Sequence, residues 1–195
     1  MFNAIIQMFE KEVIAAIASA YIPPSDLDRI RRLLPAETRA LVDILRLTGY
    51  RVDDLLKSRE YQWFGKDGYI LLYEHKTKKQ RKVKFTDEVR EAIERYRRCR
   101  NVSRAPQPLT YFVQGLRDQE RDLHKRHRST LYRHFADAVK KAGLIGRGYT
   151  IHSLRKCYAV ELYNRCESLL TVQKDLGHKS LSTTCLYVFG SRAQL

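Results

Sequence analysis

Tyr149-Thr-Ile-His-Ser-Leu-Arg-Lys156 and, further on, Leu176-Gly-His-Lys-Ser-Leu-Ser-Thr-Thr-Cys-Leu-Tyr187 crowd two imidazoles, a guanidinium and a phenol into one short helical region. His152 and Arg155 stand three apart, so on a helix both side chains leave the same face one turn from each other. Between the two stretches, Arg165 to Leu176 reads as a loop and a short helix with Ser168 as its N-cap. Gly177 suits the position just past that helix, where a left-handed residue costs least. His178 is therefore expected on a rigid elbow. Ser180 or Ser182 can cap a last helix that carries Tyr187. Cations for phosphate oxygens, groups that move protons and an oxygen nucleophile are the set that phosphodiester chemistry needs.

Working upstream, Gly146-Arg-Gly148 forms a flexible approach, and Ser129 caps a helix to Ala142 closed by Gly143. Arg117 to Arg128 is a highly charged connection, Asn101 to Pro108 a loop, and residues 109–113 a brief extended piece. Thr86 caps a helix from Asp87 to about Arg100, acidic at its start and arginine-rich at its end, as the helix dipole favours. Tyr61-Gln-Trp-Phe64, Tyr69 to His75 and Arg81 to Phe85 alternate like three short antiparallel strands. Lys66-Asp-Gly68 makes their first turn and a cationic tip from His75 to Arg81 the second. Ser25 caps a helix through Leu34, and Pro35 opens another that runs to about Thr48 and ends at Gly49. Arg51 to Lys57 begins a short third. The spacing predicts an α+β fold, mainly α, with a small three-stranded antiparallel sheet.

Residues 3–20 carry Ile5, Ile6, Phe9, Val13, Ile14 and Ile17 at helical spacing, before Tyr21-Ile-Pro-Pro-Ser25 breaks the run. That helix either docks on its own domain or forms an arm that packs on a neighbouring subunit. The expected division is an arm over residues 1–24 and one domain over 25–195.

Charge narrows the function. Lys and Arg number 37 against 22 acids, a net +15 over 195 residues, the footprint of a nucleic-acid binder. Cys99, Cys157, Cys166 and Cys185 form no Cys-x-x-Cys pair and read as reduced thiols. The apolar N-terminus is broken by Glu10, Lys11 and Glu12 and lacks a basic leader, so neither a secretory signal nor a membrane span is expected. The expected location is cytoplasmic. His124 to Arg128 invite a metal or DNA reading, but without Cys or acidic ligands at suitable spacing the metal reading has little support.

Each feature alone has a bland explanation: a helix-face pair, a capping histidine, a packed tyrosine, a solvated charge run. Their order does not. Thr48-Gly-Tyr-Arg51 before an acidic, leucine-rich helix, Lys76-Thr in a hairpin, His152-x-x-Arg155, Leu176-Gly-His178 and then Tyr187 resemble the tyrosine recombinase (phage integrase) family. The resemblance covers roughly residues 25 to 189.

It implies a DNA strand-exchange enzyme working through a 3′-phosphotyrosyl intermediate, with no cofactor, ATP or catalytic metal. Arg51 and Arg155 would grip the scissile phosphate. Tyr187 would attack phosphorus, and its phenol, with an ordinary pKa near 10, needs a base, for which His152 is the candidate. Lys76 would protonate the departing 5′-oxygen, and His178 would bond the phosphate or brace Tyr187. Lys78, Lys79, Arg81, Lys125, Arg126 and Arg128 would contact the DNA backbone, positioning without specifying. Partners implied are double-stranded DNA, further copies of the chain in a dimer or tetramer, and accessory DNA-bending proteins at the nucleoid. The rivals are a type IB topoisomerase and a DNA-binding regulator that cuts nothing. One departure stands out: relatives carry a DNA-clamping domain ahead of the catalytic one, and only twenty-four residues precede Ser25. Either the chain is a catalytic-domain-only member or it is a fragment.

Overall fold

The structure, a computed structural model, describes residues 19–64, 67–76, 78–101, 112–113 and 120–190, the side chains of 120–127 excepted. In chain order it contains α1 (Pro24–Leu33), α2 (Ala36–Thr48), α3 (Val52–Lys57), a 3-10 helix (Glu60–Trp63), β1 (Tyr69–Glu74) and β2 (Lys79–Lys84). There follow α4 (Asp87–Cys99), α5 (Glu120–Lys141), α6 (Ser153–Cys166), α7 (Leu169–Leu176) and α8 (Leu181–Val188).

α2 is the axis of the packing. It buries Leu41, Val42, Ile44 and Leu45, and it rests on both α4 and α6. Each such side chain taken from water contributes roughly 1.5–3 kcal/mol, so this one helix anchors much of the core. A smaller cluster of Tyr158, Ala159, Val172, Leu176, Tyr187 and Val188 joins α6, α7 and α8. It holds the last helix, and Tyr187 with it, against the body of the domain.

Caps follow the local chemistry. Thr86, Ser168 and Ser180 each accept a hydrogen bond from a backbone N–H of the first turn of α4, α7 and α8. Gly49 and Gly177, with φ of 62° and 64°, close α2 and α7 in the left-handed region. Ser25 is not a cap: α1 begins at Pro24 behind Pro23, because the fixed proline φ already suits a helix start. α5 begins at Glu120, so part of the charged connection before Ser129 is helical.

The sheet has two strands among the described residues, not three. β1 and β2 pair antiparallel, with Tyr69 opposite Lys84 and Glu74 opposite Lys79. The stretch expected as a first strand is the 3-10 helix. Trp63 decides this: fully buried, it donates Nε1–H to Ser58 Oγ at 2.6 Å and stacks on Phe112 at 4.7 Å. An indole that must reach a hydroxyl five residues back requires a turn, not an extended chain. The turn at Asp67-Gly68 therefore leads from this helix into β1. Of the expected extended piece at 109–113, Phe112 and Val113 are described, and Phe112 N–H donates to the Ser58 carbonyl at 2.9 Å. The expected arm over residues 1–24 lies outside the described residues up to position 18. All four cysteines are free. Among the described residues no helix is long and apolar enough to cross a membrane.

Candidate active site

Gly49 turns the chain out of α2, and Arg51 follows as the extended residue that precedes α3. A Cβ on Gly49 would overlap the ring of Tyr158, and its positive φ already disfavours other residues, so this corner is restricted to glycine twice over. The Gly49 carbonyl accepts from Arg155 Nη1 at 2.6 Å, and the Leu176 carbonyl accepts from Arg155 Nη2 at 2.5 Å. The ends of α2 and α7 thereby aim one guanidinium. Helix C-termini suit this task because their last carbonyls lack intrahelical partners.

His152 immediately precedes α6, and Arg155 lies one turn into it. Tyr187 arrives from α8, and His152 Nε2 and Tyr187 Oη share a short hydrogen bond. With Nε2 unprotonated the phenol is the donor, which aligns a base with its proton. The His178 ring packs on Tyr187 at 4.7 Å between centroids, and His178 Nδ1 bonds Thr184 Oγ1 at 3.0 Å. His178 N–H donates to the Gln173 carbonyl at 3.0 Å, fixing the elbow. These residues enclose a cleft of about 510 Å³ whose lining includes Arg51, Lys76, Arg128, His152, Arg155 and Tyr187. Of the six residues expected to act together, five line this cleft and His178 backs its tyrosine.

Charge in the site is strongly positive and partly dehydrated. Burial, then Arg51 and Arg81, lower the Arg155 pKa to about 10, which leaves it charged at neutral pH. Burial, then Arg155 and Arg51, lower His178 to about 2, so it is a neutral imidazole. Two carboxylates that sequence reasoning missed hold the arginines. Glu74 stands 3.1 Å from Arg51 and 3.5 Å from Arg155, and Asp54 stands 3.9 Å from Arg51 while its Oδ1 accepts from His75 N–H at 3.0 Å. Burial raises the Asp54 pKa, opposed by that N–H and by Arg51. A signal existed for Glu74: it shares the inward face of β1 with Ile70 and Leu72, where a carboxylate requires a cationic partner.

The expected DNA contacts divide. Lys78 and Lys79 are exposed on the hairpin. Arg128 is exposed at the cleft and pairs with Asp53 at 2.9 Å. Lys125 and Arg126 continue α5, and their side chains lie outside the described residues. Arg81 departs from expectation: it is 6% exposed, donates to the Asp175 side chain and the Thr48 carbonyl at 2.8 Å each, and faces the Tyr50 ring at 4.7 Å. Its alternating position on β2 points it inward, where the guanidinium joins the hairpin to α7.

A family model described as the phage integrase family matches residues 13–192. The tyrosine recombinase XerC of Lactobacillus delbrueckii subsp. bulgaricus is 32% identical over 167 residues, covering 83% of this chain and 53% of that protein. XerD of Pseudomonas aeruginosa is 29% identical over 158 residues, covering 80% of this chain and 51% of that protein. The chain spans about half the length of the curated relatives it matches. Among solved structures, a lambda integrase dimer bound to a COC' core site superposes with a TM-score of 0.66 at 24% identity, over 91% of this chain and 49% of that one. XerH recombinase bound to difH in a pre-cleavage complex gives 0.64 at 21%, over 90% and 54%. At such identities these likenesses establish the fold. With the match spanning nearly the whole sequence, the chain belongs to the phage integrase family.

Proposed function

We propose that this chain is the catalytic part of a site-specific DNA recombinase that cuts and rejoins DNA through Tyr187. The hydrogen bond between His152 and Tyr187, set beside two arginines in one cleft, is the observation that carries this reading. Tyr187 Oη forms a bond to phosphorus while the bond from phosphorus to the 5′-oxygen breaks. His152 takes the phenolic proton, and Lys76 delivers one to the departing oxygen. Arg51 and Arg155 stabilise the negative charge that grows on the non-bridging oxygens, where fixed donors in a dehydrated site act most strongly. His178 braces the attacking ring. Attack on the phosphotyrosine by a 5′-hydroxyl from a second duplex reverses the sequence and completes exchange. Energy stays in the ester, so neither nucleotide nor metal is called for.

Exchange between two duplexes needs more than one active site, which supports assembly of several copies on DNA. Lys78, Lys79 and Arg128 are the described cations that would guide the duplex into the cleft, together with Lys125 and Arg126. Its place of work is the nucleoid in the cytoplasm, with DNA-bending proteins as helpers at the site.

A pool of nicked duplexes of randomised sequence, incubated with the protein and selected for denaturant-resistant adducts, tests this directly. Wild type should yield an adduct mapped to Tyr187, and Tyr187→Phe should reduce it at least about a thousandfold. An adduct on another residue overturns the assignment. Supercoil relaxation without any junction product would favour topoisomerase action instead.

A further inference from the structure

Glu74 approaches the arginines from behind. Arg51 and Arg155 line the cleft that holds Tyr187, whereas Glu74 borders a different hollow of about 470 Å³ with Arg81, Lys174 and Asp175. Its side chain is 2% exposed, with one oxygen 3.1 Å from Arg51 Nη1 and the other 3.5 Å from Arg155 Nη1. Glu74 is absent from the lining of that cleft, so its carboxylate does not take the space a phosphate beside Arg51 and Arg155 would fill. It therefore acts as a brace and not as a competitor. Arg51 and Arg81 both repel the Arg155 guanidinium, and Glu74 offsets part of that repulsion. Glu74 is also the last residue of β1, two positions before Lys76. One side chain thus ties the root of the hairpin to both arginines.

We propose that Glu74 is a positioning residue for DNA cleavage: its carboxylate sets the spacing of Arg51 and Arg155 and, through the end of β1, places Lys76 against the same phosphate. The inference rests on the recombinase reading above. Misplacing transition-state donors by about 1 Å lowers rates on the order of a hundredfold even where binding is kept. A residue that acted only in folding would lower the stability of the domain and leave the rate of its folded fraction unchanged.

The test is single-turnover adduct formation on the duplex recovered from the randomised pool, with Glu74→Gln matching the size of glutamate without its charge. The maximal rate should fall about 30–100-fold while the half-saturating DNA concentration moves less than about threefold. Glu74→Asp, which keeps the charge but reaches less far, should fall in between, and it serves as the test if the Gln variant does not fold. A duplex with sulfur in place of the scissile 5′-oxygen adds a second readout, because a thiolate leaves without a proton. On it Glu74→Gln should recover the share of rate lost through Lys76, about tenfold, and Lys76→Ala should recover likewise. A maximal rate within threefold of wild type, or a defect confined to half-saturation, overturns the proposal. No recovery on sulfur rejects the link to the hairpin. Failure of wild type to form any adduct sinks the recombinase reading and this inference together, whereas an active wild type with an unaltered Gln variant sinks the inference alone.

Discussion

His178 lies 6% exposed against Tyr187, and burial together with the nearby arginines lowers its pKa to about 2. In the unfolded chain the same imidazole titrates near 6.5. Between these values the unfolded state binds the extra proton, so folding stability falls as pH drops below about 6.5. By pH 5 this one residue should cost about 2 kcal/mol relative to pH 8. Urea unfolding at pH 8 and pH 5 measures it, and His178→Asn should lose that share of the pH dependence. Equal slopes in the two proteins would mean that the imidazole takes up its proton in the folded state. The neutrality of His178 also limits its chemistry at physiological pH. It can orient Tyr187 or share a hydrogen bond, but it cannot supply a proton as an imidazolium.

Arg81 ties the hairpin to α7. Arg81 Nε donates to the Asp175 carbonyl at 2.5 Å and Nη2 to the Asp175 carboxylate at 2.8 Å, while its guanidinium lies over Tyr50 and near Tyr158. Removing one member of such a buried set strands the other's polar groups. Arg81→Leu should therefore cost roughly 2–4 kcal/mol, reduced from a wholly buried pair because Asp175 keeps partial solvent contact. Thermal and denaturant unfolding would register the loss together. A change below about 0.5 kcal/mol would show that packing of α7 on β2 needs no such clasp. The Arg128–Asp53 pair makes the contrast: exposed on both sides, it should contribute under about 1 kcal/mol.

Across the whole molecule, a net +15 is more charge than folding needs, and it favours compactness less than it favours a polyanion partner. Lys78, Lys79, Lys82 and Lys84 all lie exposed on one hairpin. If six to ten phosphates are neutralised on binding, duplex affinity should fall about 10³–10⁵-fold between 50 and 200 mM salt. Fluorescence anisotropy on a labelled duplex gives the slope. A nearly flat titration would reject this surface as the DNA-binding face, whatever the cleft does.

Three caps, left-handed glycines and the order of Arg51, Lys76, His152, Arg155, His178 and Tyr187 were legible from the sequence, because each depends on neighbours a few residues away or on spacing along the chain. Ser25 and Ser129, by contrast, are not caps. The helix starts at Thr86, Ser168 and Ser180 and the left-handed turns at Gly49 and Gly177 needed no knowledge of the core. Tertiary structure alone decided that Tyr61 to Trp63 coil around a buried indole, that Arg81 turns inward to Asp175, and that Glu74 stands behind two arginines remote from it in sequence. Local alternation reports only that a side chain faces in or out. What an inward-facing charge meets depends on long-range packing, and burial makes that partner obligatory without saying which residue it is.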